Sequence, residues 1–261
     1  MNKMKEYAAM RKTQLKERIA QESTIPTLLI IRVGDNEASE RYVRNKIKDC
    51  EEVGIAVVDA HLPEGVSTIG LLDFIQDNQY IYDGVIVQQP LPDYIDQEII
   101  NRIIDPKRDV DGFHLMSKFK PATAKGIIDY LKWREVSLVG MNATIIGRSD
   151  IVGKPLARML TDENCTVTLC HSYTKNIITH CRNSDLIISA VGQPKFLECN
   201  SFTDKIIIDV GINFDENGKM CGDCFFSEGI TGVTNVSPVP GGVGLLTRIA
   251  LLENVVEAAY G

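Results

Sequence analysis

The sequence predicts an α/β protein of two domains with mostly parallel sheets, and three observations carry that prediction. First, short continuous apolar runs recur along the chain: LLII from Leu28, GVIV from Gly84, TII from Thr144, LIIS from Leu186 and IIIDV from Ile206. Runs of this kind suit strands covered on both faces, as parallel strands are. Second, helical stretches alternate with the runs, as an open sheet with crossover helices requires. Third, 261 residues with 44% hydrophobic and 24% charged side chains give room for two cores of ordinary composition, at roughly 100–150 residues per domain.

Taken in order, the charged N-terminus (MNKMKEYAAMRKTQLKERIA) reads as an amphipathic helix rather than a signal peptide, because it lacks an apolar core. Strands are expected at 27–33, 55–61 and 84–88, with helices at 36–53 and 68–78 between them. A polar, turn-rich stretch near 112–125 marks a domain boundary. Beyond it come a helix at 127–133, a strand at 142–147, a helix at 154–162 and strands at 166–171, 186–190 and 205–210. The Gly/Pro-rich segment from Ser237 to Gly244 is a second boundary before a last helix at 245–260. That helix would return to the first domain, giving a discontinuous domain of 1–113 plus 245–261 and a continuous one of 114–244.

Composition excludes several classes. A net charge of −7 lacks the basic excess of a nucleic-acid binder. No apolar run reaches the ~18–20 residues that span a bilayer. Seven scattered cysteines, an odd count, do not form a disulfide framework and point to a reducing cytoplasm. Cys221 and Cys224 have CxxC spacing, but no second pair or histidine set at ligand spacing follows. The pair reads as a turn, and no metal is expected.

Three places carry chemistry. At about 100° per residue, the 36–53 helix puts Ser39, Tyr42, Val43, Lys46, Cys50 and Val53 on one side, and Glu40, Arg41, Arg44, Lys48, Glu51 and Glu52 on the other. Asp49 falls at the edge. Lys46 therefore lies on the apolar side. It is either a lysine whose stem covers apolar surface or a desolvated proton carrier with a lowered pKa. Tyr42 and Lys46 also match the YxxxK pair of short-chain dehydrogenases, but here the pair precedes the nucleotide loop, against that family's order. Gln88 ends the third strand, where open sheets bind ligands beyond their carboxyl ends; a turn-stabilising role is the alternative. Asp111, in DVDGF, is either a ligand-binding carboxylate or a turn residue.

The stretch from Asn142 to Leu156 reads as strand, tight loop and helix. Gly147 and Gly153 permit the close approach of a pyrophosphate to backbone amides. The next strand ends in Cys170-His171-Ser172 rather than in the Asp or Glu that holds an NAD ribose. With Arg148 in the first loop, this donor set favours NADP over NAD.

Together these segments resemble the bifunctional methylenetetrahydrofolate dehydrogenase/methenyltetrahydrofolate cyclohydrolase family. The matching residues are Tyr42-Val-Arg-Asn-Lys46, Gly84-Val-Ile-Val-Gln88-Gln-Pro-Leu-Pro92, Asp109-Val-Asp111-Gly-Phe-His114, Gly147-Arg-Ser-Asp-Ile-Val-Gly153, Asp209-Val-Gly-Ile-Asn213 and Pro238-Val-Pro-Gly-Gly-Val-Gly244. They follow the family's order over nearly the whole chain. The resemblance implies an α/β folate-binding catalytic domain, a Rossmann-type NADP-binding domain and a homodimer. It makes Lys46 the proton-transfer residue, Gln88 its support, and Asp111 a ligand of the pterin. Ser39, Tyr42, Pro240 and Gly241 become substrate contacts, and Gly147, Arg148, Ser149, His171, Ser172 and Ile212 cofactor contacts. Four features depart from the family pattern: the usual segment before the first helix is not seen, the stretch between Phe113 and Pro121 is short, Pro121-Ala-Thr-Ala-Lys-Gly126 replaces PCTPxG, and Leu245 stands where proline is usual. A dehydrogenase of small acids on the same plan and a non-catalytic nucleotide-binding protein are the rival readings.

Overall fold

The computed structural model describes residues 2–202, 204–227 and 236–261, apart from the side chain of Ala38. The chain divides into two compact units. One comprises residues 9–122 and 248–261; the other comprises 1–8 and 123–247.

In the first of these, the three-stranded parallel sheet runs β2–β1–β3. Its strands are β1 (Thr27–Val33), β2 (Ala56–Leu62) and β3 (Gly84–Val87). All four residues of β3 are buried, whereas β2 is largely exposed, as an edge strand with one free flank should be. The segment around Asp109 adds a parallel bridge to Val85 on the other side of β3. Helix α1 (Lys3–Ile19) precedes the sheet, and α2 (Glu37–Val53), α3 (Thr68–Asn78) and α4 (Gln97–Ile103) follow its strands. A core of Leu29, Ile31, Val33, Leu71, Ile75, Val85, Val87 and Ile100 fills the space between sheet and helices. Asp49, placed at the edge by its helical position, is in fact 5% exposed. Its carboxylate meets Lys12 Nζ at 2.6 Å and Arg248 at 2.8 Å, so partners from distant segments neutralise a charge that burial alone would disfavour.

In the second unit, four parallel strands run β5–β4–β6–β8. They are β4 (Asn142–Ile146), β5 (Thr166–Cys170), β6 (Leu186–Ser189) and β8 (Ile206–Asp209). Helices α5 (Ala122–Trp133), α6 (Gly153–Asp162) and α7 (Ile177–Arg182) lie between or before them; α8 (Val243–Tyr260) begins in this unit, and its residues from Arg248 on belong to the first. The two-residue strands β7 (Leu197–Glu198), β9 (Asn213–Phe214), β10 (Met220–Cys221) and β11 (Cys224–Phe225) decorate the carboxyl side. Ile146, Cys170, Cys181, Ile187, Leu197, Phe202 and Ile207 form its core.

Most strands end a residue before their predicted limits, where the ladder gives way to a loop. Helix α5 starts five residues earlier than the sequence suggests, because Gly126 lies inside the helix instead of ending a loop before it. Its missing side chain has a packing cause: a Cβ there would strike the Leu246 carbonyl. The CxxC cysteines are free thiols on β10 and β11, and Cys224 packs on the core beside Cys199.

Candidate active and cofactor sites

Helix α2 is fixed at both ends. Asn36 caps it by accepting from the Ser39 amide, and Gly54 closes it at φ +97° with its amide donating to the Cys50 and Glu51 carbonyls. The cap sets the phase of the helix, so Ser39, Tyr42 and Lys46 stack along one face at three- and four-residue spacing. Lys46 is 5% exposed. Its Nζ donates to Gln88 Oε1 at 3.0 Å and lies 5.3 Å from the centroid of the Tyr42 ring. Gln88 is itself held, since its Nε2 donates to the Gln89 carbonyl at 2.6 Å, and Ser39 Oγ donates to the same carbonyl at 3.2 Å. Gln88 also extends the sheet, its amide donating to the Ile31 carbonyl at 2.8 Å. A rigid strand end thus delivers the amide that orients the lysine.

Asp111 follows the bridge that binds residue 109 beside β3, and its carboxylate faces the charge of Lys46. It keeps some accessible surface yet is densely surrounded by protein. Burial raises its carboxyl above the usual value, while Lys46 acts in the opposite direction. Burial likewise lowers Lys46 below 10.5, opposed by Asp111 and Cys50. Both shifts favour a lysine that is neutral for more of the time near neutral pH. Asp109 holds the turn: its carboxylate accepts from the His114 amide at 2.7 Å and the Gly112 amide at 3.2 Å. Burial pushes Asp109 up to about 6, although the His114 bond works against it. Sequence reasoning had no signal for Asp109 beyond its place in the motif. It also missed Gln89, whose Nε2 is buried with no hydrogen-bond partner among the described residues and so offers a donor beside Gln88.

The second unit carries the glycine loop. Gly147 adopts φ +115°, and a Cβ on it would collide with the Ala190 carbonyl; one on Gly153 would collide with Gly147's own carbonyl. Only glycine allows this tight turn from β4 into α6. Ser149 Oγ accepts from the Val152 amide at 3.2 Å and the Gly153 amide at 3.4 Å, capping the helix start. The ends of β4 and β5 are neighbours, with the Gly147 amide donating to the Cys170 carbonyl at 3.0 Å. Arg148 and Ser172 are therefore close in space and both exposed. The Arg148 guanidinium lies 5.9 Å from the Tyr173 ring centroid, and the His171 ring meets that ring edge-on at 6.1 Å. His171 Nδ1 accepts from the Tyr173 amide at 3.2 Å, so its ring holds the turn. Ile212 is 54% exposed just beyond β8. Pro240 and Gly241 lie in the same unit, where the Gly241 carbonyl accepts from Asn2 Nδ2 at 2.7 Å. The folate-side candidates Ser39, Tyr42, Lys46, Gln88 and Asp111 thus come together in one unit, and Pro240 and Gly241 fall in the other.

The donor set fits a dinucleotide carrying a 2′-phosphate. A tight glycine loop leads into a helix start, a guanidinium and a hydroxyl sit at adjacent strand ends, and no carboxylate ends β5.

The chain matches the model for the tetrahydrofolate dehydrogenase/cyclohydrolase catalytic domain over residues 3–111 and that for the NAD(P)-binding domain over residues 121–261. It is 39% identical to the bifunctional protein FolD of Campylobacter concisus, covering 98% of this chain and 94% of that one. Among solved structures, it superposes on the bifunctional methylenetetrahydrofolate dehydrogenase/cyclohydrolase FolD of Campylobacter jejuni with a TM-score of 0.90 at 37% identity, covering 98% and 96% of the two chains. The Trypanosoma brucei FolD, solved with NADP and an inhibitor, gives a TM-score of 0.87 at 28% identity over 97% and 94%.

Proposed function

Because the chain belongs to the tetrahydrofolate dehydrogenase/cyclohydrolase family, we propose the following assignment of its residues to a two-step reaction. The enzyme oxidises 5,10-methylenetetrahydrofolate to the methenyl form with NADP and hydrolyses that product to 10-formyltetrahydrofolate. The observation that carries the assignment is the buried contact between Lys46 and Gln88 at 3.0 Å.

NADP supplies the hydride acceptor, so the protein's part in oxidation is mainly orientation. Gly147, Ser149 and the start of α6 hold the pyrophosphate region. Arg148 and Ser172 take the 2′-phosphate, while His171 keeps their turn in shape and Ile212 gives apolar contact. On the folate side, Tyr42 packs on the substrate's aromatic ring and Asp111 accepts from the pterin's donor groups. Ser39, Pro240 and Gly241 complete the substrate contacts.

In the second step, water adds to the cationic methenyl carbon. Neutral Lys46 takes a proton from that water and passes one to the departing ring nitrogen as the ring opens. Gln88 holds the amine in line through its oxygen, and burial keeps the lysine's proton loosely bound. Among the described residues no helix is long and apolar enough to cross a membrane. The reading extends to a homodimer in the cytoplasm acting on small tetrahydrofolate substrates, with no nucleic-acid or membrane partner.

The test is to replace Lys46 with Met. Hydrolysis should fall by about 10²–10⁴-fold, the usual worth of a positioned proton carrier, while reduction of NADP persists. Loss of both steps together, with the fold intact, would remove Lys46 from the hydrolytic role.

A further inference from the structure

We propose that Asp223 is a positioning residue for the oxidation step, fixing the two strand-end loops that line the dinucleotide crevice. The inference rests on the reading of the second unit as the NADP site and deepens it.

Asp223 is fully buried, at 0% exposure. It comes from the short turn between β10 and β11, outside the four-stranded sheet. Its carboxylate nevertheless gathers five hydrogen bonds. Oδ2 accepts from Ser189 Oγ at 3.1 Å, the Val191 amide at 2.8 Å and the Gly192 amide at 3.4 Å. Oδ1 accepts from the Gln193 amide at 3.0 Å and Asn213 Nδ2 at 2.9 Å. Three consecutive amides of one loop therefore converge on a single acidic side chain. Val191 packs against the core, whereas Gly192 and Gln193 are exposed, and their inward-turned amides tie that part of the loop to the buried carboxylate.

The position of the loop gives the clamp its meaning. Residues 190–193 leave the carboxyl end of β6, and the Ala190 carbonyl abuts Gly147 closely enough to exclude a side chain there. Ligands of open parallel sheets bind beyond such carboxyl ends. The same carboxylate reaches the loop after β8. Asn213 donates to it, and a Cβ on Gly211 would collide with it. Ile212, an exposed apolar residue, sits between these two. Asp223 thus holds one neighbour of Ile212 by a hydrogen bond and packs against the other, as well as holding the loop against Gly147. Asp209 anchors Asp223 in turn, its carboxylate accepting from the Gly211 amide at 2.9 Å, the Asp223 amide at 3.0 Å and the Cys224 amide at 2.8 Å. Charge-assisted bonds in a buried network of this kind fix one arrangement of the backbone they join.

The experiment compares the full-length protein with Asp223→Asn, which turns an NH2 group toward amides that need an acceptor. Without NADP, amide hydrogen exchange at Val191, Gly192 and Gln193 should quicken at least tenfold while β4 keeps its protection. The Kd for NADP, measured by direct titration, should rise at least tenfold. Hydrolysis of methenyltetrahydrofolate supplied directly should stay within twofold of the parent. Unchanged exchange at 191–193, or an unchanged Kd per folded molecule, overturns the proposal. If Asp223→Asn does not fold, Ser189→Ala and Asn213→Ala each remove one bond to the carboxylate. Each should raise the Kd two- to fivefold, and no rise in either overturns it equally. Failure of the parent protein to reduce NADP with methylenetetrahydrofolate counts against the proposed function, whereas the exchange and titration still decide the role of Asp223.

Discussion

At Lys46 two influences oppose each other. Burial removes water from the ammonium and lowers its pKa, while Asp111 and Cys50 push back. Hydrolysis should therefore rise with pH and level off below the ordinary lysine value of 10.5. Replacing Gln88 with Glu would set a carboxylate at the Nζ, raise the lysine's pKa and move that profile to higher pH; a profile that stays put would separate Gln88 from the proton carrier. Linkage gives the matching stability effect. The unfolded chain holds this proton up to about 10.5, and the folded chain releases it sooner. Between the lowered value and 10.5 the unfolded state binds more protons, so Lys46's contribution to stability improves as pH rises. On the cofactor side, Arg148→Ala should remove a charged hydrogen bond worth about 1.5–3 kcal/mol. That corresponds to a rise of roughly 10–150-fold in the KM for NADP, with the KM for NAD nearly unchanged. Equal losses for both cofactors would mean that Arg148 does not read the 2′-phosphate.

At the scale of elements, α2 carries the site and its caps carry α2. Asn36→Ala removes the acceptor for the Ser39 amide and should cost about 1 kcal/mol. Urea unfolding would show this as a lower midpoint with an unchanged slope. The face of α2 was legible because helical periodicity alone puts Lys46 beside Tyr42 and Ser39. Asp49 was not, because its burial depends on Lys12 and Arg248 arriving from α1 and α8. The short helices α4 and α7 and the two-residue strands escaped for a related reason: each is too short to show a period, and packing decides its shape. Gly126 misled in the same way. A glycine that looks like a loop residue serves a close helix contact, and only the position of Leu246 reveals it.

At the scale of the whole chain, the two units divide the chemistry, with the lysine cluster in one and the glycine loop in the other. NADP should thus stabilise the protein through the second unit. At a free concentration one hundred times its Kd the gain is about 2.7 kcal/mol, and hydrogen exchange should slow first around Gly147, His171 and Val191. Slowing confined to α2 and β3 would misplace the cofactor. The sequence motifs made the lysine and the glycine loop readable. They left Asp209 and Asp223 unread, because a carboxylate's role as a backbone clamp is set by amides far away in sequence. The most direct measurement gives the protein methylenetetrahydrofolate with NADP or with NAD and follows the methenyl product as it forms and as it decays. Faster formation with NADP, followed by decay that Lys46→Met abolishes, is the predicted result. Reduction of neither cofactor, or decay that proceeds equally without Lys46, would contradict it.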